Sequence, residues 1–166
     1  MILAVDVSYR DQIAKAAAVG FEDWTDDVEK KVWTEIMETP DEYHSGEFYK
    51  RELPCILSLL NQLDLRAVDV ILIDGFVYLD DDDYPGLGGH LYECLDRKIP
   101  IIGVAKSDFV TVFRNKREIF RGESRNPIYV SAAGIDVGKA ADLIQSMAGN
   151  FRIPDLLKRV DLLSKE

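Results

Sequence analysis

Three carboxylates and one lysine stand where a folded chain could turn them to a common chemistry. Asp6 interrupts the apolar stretch Leu3-Ala4-Val5-Asp6-Val7, and Asp74 closes the run Val70-Ile71-Leu72-Ile73-Asp74-Gly75. A carboxylate inside an apolar strand is costly unless it finds a partner or a metal. A carboxylate at the carboxyl end of a buried strand sits on the rim where α/β sheets place their ligands. Glu52 lies between the two on a helical stretch, and Lys106 ends a second apolar run, Ile99 to Lys106. Carboxylates set close together cannot comfortably all ionise without a cation among them. Mg2+ meets that need, with hard oxygen ligands, retained waters and room for a substrate phosphate; Mn2+ is the alternative. Such a site suits hydrolysis of a phosphodiester, because a bound cation lowers the pKa of water and stabilises the departing oxygen. Lys106 is then expected to hold the scissile phosphate or neutralise its developing charge.

The elements that position these groups can be read from the hydrophobic pattern. Leu3 to Val7 reads as a first strand, and Ser8 to Asp11 as a turn. Ile13 to Phe21 and Lys31 to Met37 follow as second and third strands of an antiparallel meander, although Ala14 to Val19 alone also fits a helix. The acidic stretch Glu22 to Glu29 reads as a solvated hairpin loop. After Ser45-Gly46 a helix runs to about Leu63, with Phe48, Leu53, Ile56, Leu57, Leu60 and Leu63 at helical spacing and a kink or restart expected near Pro54. The strand ending at Asp74 is apolar throughout, as expected of a strand buried on both faces. Asp80 to Asp83 reads as a solvated, self-repelling loop, since calcium loops need spaced ligands and an interior glycine. Leu87 to Leu95 is a second helix, and the strand from Ile99 completes a right-handed parallel crossover. Phe109 to Phe120 forms a hairpin arm or loop, Pro127 to Ser131 a last short strand, Val137 to Met147 a helix, and Pro154 opens a terminal helix.

Composition narrows the class. A chain of 166 residues suggests one domain, 1–166, with 47% apolar and 30% charged residues in an ordinary globular balance. No apolar run is long enough to cross a bilayer, and Met1 to Asp6 enters a strand directly without a basic region, so a cytoplasmic protein with no membrane partner is expected. The net charge of −10 argues against a non-specific coat on nucleic acid. It leaves room for an enzyme that meets phosphate through a metal and a local basic patch, here Arg114, Lys116, Arg117, Arg121 and Arg125. Cys55 and Cys94 sit in apolar helical patterns and read as reduced, buried thiols.

Three strands, then strand–helix–strand, then a strand and helices is the order of a ribonuclease H-like α/β fold, with helices on both faces of the sheet. Six segments resemble the endonuclease V family in order and approximate spacing: Val5 to Tyr9, Phe48 to Pro54, Ile71 to Gly75, Gly86 to Leu91, Ile102 to Lys106 and Tyr129 to Ser131. The resemblance covers nearly the whole chain. It implies a magnesium-dependent endonuclease that recognises deaminated adenine, hypoxanthine, in DNA or RNA and cuts 3′ to the lesion, leaving 3′-hydroxyl and 5′-phosphate ends. On this resemblance Asp6, Glu52 and Asp74 match the metal-binding carboxylates, and Lys106 matches the lysine near the phosphate. Tyr9, Tyr43 and Gly46 match substrate-contacting positions. A monomer acting on nucleic acid is expected.

The chain also departs from the family. Glu42-Tyr43-His44-Ser45-Gly46 stands where the family has a Pro-Tyr-Ile-Pro-Gly-like wedge, so both prolines are missing. Phe76-Val77 and the acidic loop replace histidine-containing segments. Ala133-Gly134 replaces a glycine-histidine pair whose histidine completes the metal site, and Asp136 is the nearest substitute, either as a ligand or as the cap of the following helix. His90 matches a helix histidine and reads as a structural contact. Two other readings stay open at this stage. One is a non-catalytic nucleic-acid-binding or regulatory protein on the same fold, favoured by these losses and disfavoured by the retained carboxylates. The other is a magnesium-dependent nuclease for structured or single-stranded RNA.

Overall fold

The computed structural model describes residues 1–38 and 48–166. Strands β1 (Ile2–Arg10), β2 (Ile13–Phe21) and β3 (Lys31–Glu38) pair as an antiparallel meander. Helix α1 (Phe48–Leu60) leads to β4 (Val70–Asp74), and α2 (Leu87–Cys94) leads to β5 (Ile101–Ala105). The chain ends with β6 (Arg117–Ile119), β7 (Ile128–Ala133), α3 (Val137–Ser146) and α4 (Asp155–Lys165). The strands form one sheet in the order β3-β2-β1-β4-β5-β7-β6. β1, β4 and β5 are parallel, whereas β7 runs antiparallel to β5. This is the ribonuclease H-like α/β architecture.

Alternation along the central strands builds two cores. Ile2, Ala4, Val70, Leu72, Ile102 and Val104 pack with α3 and α4, while Leu3, Val5, Ile71, Ile73 and Ile101 pack with α1 and α2. With both faces covered, these strands read as unbroken apolar runs. Each fully buried Leu, Ile or Val side chain contributes about 1.5–3 kcal/mol. Ala14 to Val19 is strand: it is hydrogen-bonded between β1 and β3, and that two-sided ladder overrides the helical preference of alanine.

Several expectations need correction. Helix α1 runs through Pro54 without a restart; Pro54 lies on its exposed face. Cys55 is buried, but Cys94, at the end of α2, is exposed. The acidic loop is not merely solvated. Asp81 accepts backbone N–H bonds from Phe113, Arg114 and Asn115 at 2.8–3.1 Å, Asp80 accepts from the N–H groups of Asp82 and Tyr84, and Asp83 accepts from the Asn115 side chain. These bonds tie the loop after β4 to the arm between β5 and β6. Arg121 leaves the basic patch altogether: it is 3% exposed and donates to the carbonyls of Met147, Gly149 and Phe151. Tyr43 and Gly46 lie outside the described residues.

Candidate active site

The parallel register carries Asp6 and Asp74 to the same rim. Val5 of β1 pairs with Ile73 of β4, so the next residue of each strand is a carboxylate. Lys106 stands just beyond the end of β5. All three positions share the alternation phase of Ala4, Leu72 and Val104, the face covered by α4. Asp6, Asp74 and Lys106 accordingly line one cavity of about 340 Å³ between the sheet edge and α4.

Two glycines let the chain leave this rim. Gly75, at φ +106°, turns the backbone directly after Asp74. Gly103 lets that turn pass close over β5, since a Cβ there would collide with the Gly75 carbonyl oxygen and meet Ser131 Oγ at 2.8 Å. The buried Ser131 Oγ accepts from the Val77 N–H at 2.9 Å and fixes the crossing.

Helix α4 adds a group that the strand pattern did not reveal. Asp161 lines the same cavity and lies close enough to Asp6 to influence its titration. Ser164, one turn on and buried, donates to Asp6 Oδ2 at 2.9 Å, and Ser8 Oγ lies 2.7 Å from Ser164 Oγ. With Ser8 donating to Ser164 and Ser164 donating to Asp6, the hydroxyls form a chain that orients Asp6 Oδ2. Lys165 bonds Asp161 at 2.9 Å.

Electrostatics mark the cluster. Burial, then the nearby Asp74 and Asp161, push the Asp6 carboxyl up to about 7 against the opposing hydrogen bond from Ser164. Burial, then Asp6 and Asp74, push Glu52 up to about 7. Burial also raises Asp74, opposed by Lys106, although the Asp74 side chain keeps contact with solvent at the rim. Asp161 behaves differently: burial would raise it, but its bonds to Lys165 and Asp6 outweigh this and hold it below the usual range. Glu52 approaches from α1, on the other face of the sheet, near enough for charge coupling to both aspartates but outside the lining of the cavity.

Among the described residues, no three Asp, Glu, His or Cys side chains close up tightly enough to cage an ion unaided. Magnesium does not need such a cage, because it keeps several waters and takes one or two carboxylates together with substrate phosphate. Asp6, Asp74 and Asp161 are hard oxygen donors gathered at one rim, and burial raises the first two carboxyls, a cost that a bound cation would offset. The donor set therefore fits a divalent cation.

Two expected site residues are placed elsewhere. Asp136 accepts from the Lys139 N–H and caps α3. Because β7 is antiparallel to β5, with Ala133 opposite Ile101, its carboxyl end lies at the opposite sheet edge from Asp74, and Asp136 lies there too. Tyr9 lies outside this cavity: the Arg51 guanidinium sits 3.6 Å from its ring centroid and its hydroxyl is buried, so it braces the turn of α1 that carries Glu52. His90 stacks on Tyr49 at 3.8 Å, a structural contact as expected. Asp161 could have been suspected only from a carboxylate on the core-facing side of an amphipathic terminal helix, a common pattern.

The profile of the endonuclease V family matches residues 1–124. No curated protein sequence matches the chain. Among solved structures, the chain is similar to Ciona intestinalis endonuclease V in complex with a 24mer DNA containing an inosine followed by a ribo-adenosine, at 20% identity and TM-score 0.79 over 99% of this chain and 84% of that one. It is similar to human endonuclease V at 22% identity and TM-score 0.72 over 99% and 82%, and to the Bacillus subtilis enzyme at 20% and 0.75 over 99% and 78%. At these identities the likeness speaks to the fold.

Proposed function

Because this chain belongs to the endonuclease V family, we propose that it is a divalent-metal-dependent endonuclease that hydrolyses a phosphodiester 3′ to deaminated adenine in DNA or RNA. The observation that carries this reading is the convergence of Asp6, Asp74, Asp161 and Lys106 on one cavity, with the Asp6 carboxyl raised to about 7. The inosine-containing DNA bound to the Ciona relative supports the choice of lesion. We read residues 1–166 as one catalytic unit, acting as a monomer.

In this reading Asp6 and Asp74 would hold Mg2+ or Mn2+, with Asp161 beside them and Glu52 contributing its charge from the other face of the sheet. The bound cation supplies Lewis-acid polarisation of the phosphate and a lowered pKa for water. The chain's own residues do the rest. Ser164 keeps one oxygen of Asp6 engaged and so fixes the orientation of the carboxylate at the cavity. Lys106 faces the scissile phosphate and neutralises charge that grows on its non-bridging oxygens. Water adds to phosphorus in line, the P–O3′ bond breaks, and a proton ends on the departing 3′ oxygen, which leaves a 5′-phosphate. Tyr43 and Gly46 are proposed to contact the displaced lesion.

Cleavage of inosine-containing and unmodified oligonucleotides, as DNA and as RNA, tests the reading. Metal-dependent cutting beside inosine that disappears in Asp74→Asn is the expected result. Failure to cut any of the four substrates, with Mg2+ or Mn2+ present, overturns it and leaves a nucleic-acid-binding module on the same fold.

A further inference from the structure

The carboxylates occupy only one end of the cavity. The remainder is walled by Val104 from the sheet, Val160 and Leu157 from α4, and Ile153 and Phe151 from the segment before it. None of these apolar groups serves the chemistry of the phosphate. Val104 and Val160 form a buried floor, Ile153 and Leu157 are half-buried, and Phe151 stands exposed at the mouth, so the open part of this apolar lining gains from being covered by a ligand. The wall is also held in place. Arg121 grips the carbonyl of Phe151, and Arg152 donates to the carbonyls of Pro127 and Lys106, so the segment carrying Phe151 is pinned to the same strand end that carries the phosphate-facing lysine. Phe151 is 69% exposed on the rim, and Lys158 Nζ lies 6.0 Å from its ring centroid.

Charge and size select the occupant. Lys106, Arg152 and Lys158 stand opposite Asp6, Asp74 and Asp161 around the opening, so an anion attached to an apolar body is favoured on the lysine side when a cation offsets the carboxylates. A volume of about 340 Å³ falls at the small end of ligand sites, about 300–1,000 Å³. That is room for a flat heterocycle and its sugar, not for a helix or a folded segment. The lining contains no amide or hydroxyl side chain, and Arg152, which could read the edge of a base, is engaged with the carbonyls of Pro127 and Lys106.

We propose that this chamber is a nucleobase subsite: it takes the base of a nucleotide flanking the scissile phosphate, with the phosphate between Lys106 and the carboxylates and the base against Phe151, Ile153 and Leu157. The proposal rests on the reading that the substrate is nucleic acid. Since only apolar faces meet the base, the subsite binds by stacking and tolerates any base, leaving lesion choice to other parts of the chain.

Methyl-labelled protein titrated with AMP, thymidine 5′-monophosphate, ribose 5-phosphate and inorganic phosphate, in the presence of Mg2+, tests this by NMR. Both nucleotides should shift the methyl resonances of Val104, Ile153, Leu157 and Val160 with similar affinity, and ribose 5-phosphate should bind about tenfold more weakly. Phe151→Ala, at an exposed position that does not support the core, and Leu157→Trp, which fills the chamber, should each weaken both nucleotides by about tenfold and leave inorganic phosphate unchanged. Three results overturn the subsite: nucleotide binding with silent methyls, equal binding of ribose 5-phosphate, or methyl shifts that depend on protein concentration alone, which would make a second copy the occupant. Cleavage data separate the two readings. Methyl shifts with no cleavage of any nucleic acid sink the nuclease and keep the subsite, and cleavage with silent methyls does the reverse.

Discussion

Ser164 Oγ lies 2.9 Å from Asp6 Oδ2, joining the terminal helix to the first strand at the point where the charge is concentrated. This bond opposes the burial that raises the Asp6 carboxyl. Ser164→Ala should therefore raise the Asp6 pKa further and move the acid limb of the pH–rate profile upward. The cost in stability should be about 1 kcal/mol. A profile identical to that of the parent chain would show that the serine does not orient Asp6.

The two groups raised to about 7, Asp6 and Glu52, make the metal-free protein pH-sensitive in a defined direction. Their native pKa values exceed the ordinary carboxylate values, so the folded chain keeps protons that the unfolded chain releases. The resulting stability is complete below about pH 4 and is lost as pH rises through about 7, on the order of 2–4 kcal/mol for the pair. Thermal melting in EDTA should show Tm falling across that window. Adding Mg2+ should restore little at pH 5 and most at pH 8, because a cation binds the ionised site and stabilises by mass action. A Tm in EDTA that rises between pH 5 and pH 8 would contradict the arrangement.

The sequence leaves Asp136 as either ligand or cap; the fold makes it the α3 cap, and the carboxylate of the terminal helix that lines the cavity is Asp161. Asp161→Asn should weaken Mg2+ binding by about tenfold in calorimetry and lower the Asp6 pKa, since a neighbouring negative charge is removed. Asp136→Ala should leave Mg2+ affinity as it is and cost about 1 kcal/mol through loss of the α3 cap. Equal effects of the two substitutions on Mg2+ would refute this assignment.

Lys106→Ala should lower kcat by about 10²–10³-fold with little change in Mg2+ affinity, as expected of a side chain that meets charge on the phosphate. A loss confined to KM would instead mark it as a simple docking cation.

Arg121→Met should be the most damaging substitution outside the site. It leaves the carbonyls of Met147, Gly149 and Phe151 without their donor in a buried setting, a loss of about 3 kcal/mol, read as a Tm lower by about 10 °C. Asp81→Ala should act locally, opening residues 109–116 to proteolysis because three backbone N–H groups lose their acceptor.

The carboxylate pair at the sheet rim was legible because its cause is local. An apolar strand pattern has a fixed two-residue period, so a polar residue that breaks it, or closes it before a glycine, announces its position and its face. Asp6, Asp74 and Lys106 lie on one face for that reason, and the order of elements sufficed for the ribonuclease H-like sheet. Direction was not legible in the same way: the run from Pro127 to Ser131 reads alike whether its strand is parallel or antiparallel to β5. Only packing decided that β7 runs antiparallel, and with it that Asp136 ends at the far edge as a helix cap. Asp161 and Ser164 lie on a helix remote in sequence from both strands, and their meeting with Asp6 depends on how α4 docks across β1 and β2. Periodicity specifies which way a side chain faces, but which distant faces come together is set by the tertiary burial of apolar surface that brings helix and sheet into contact.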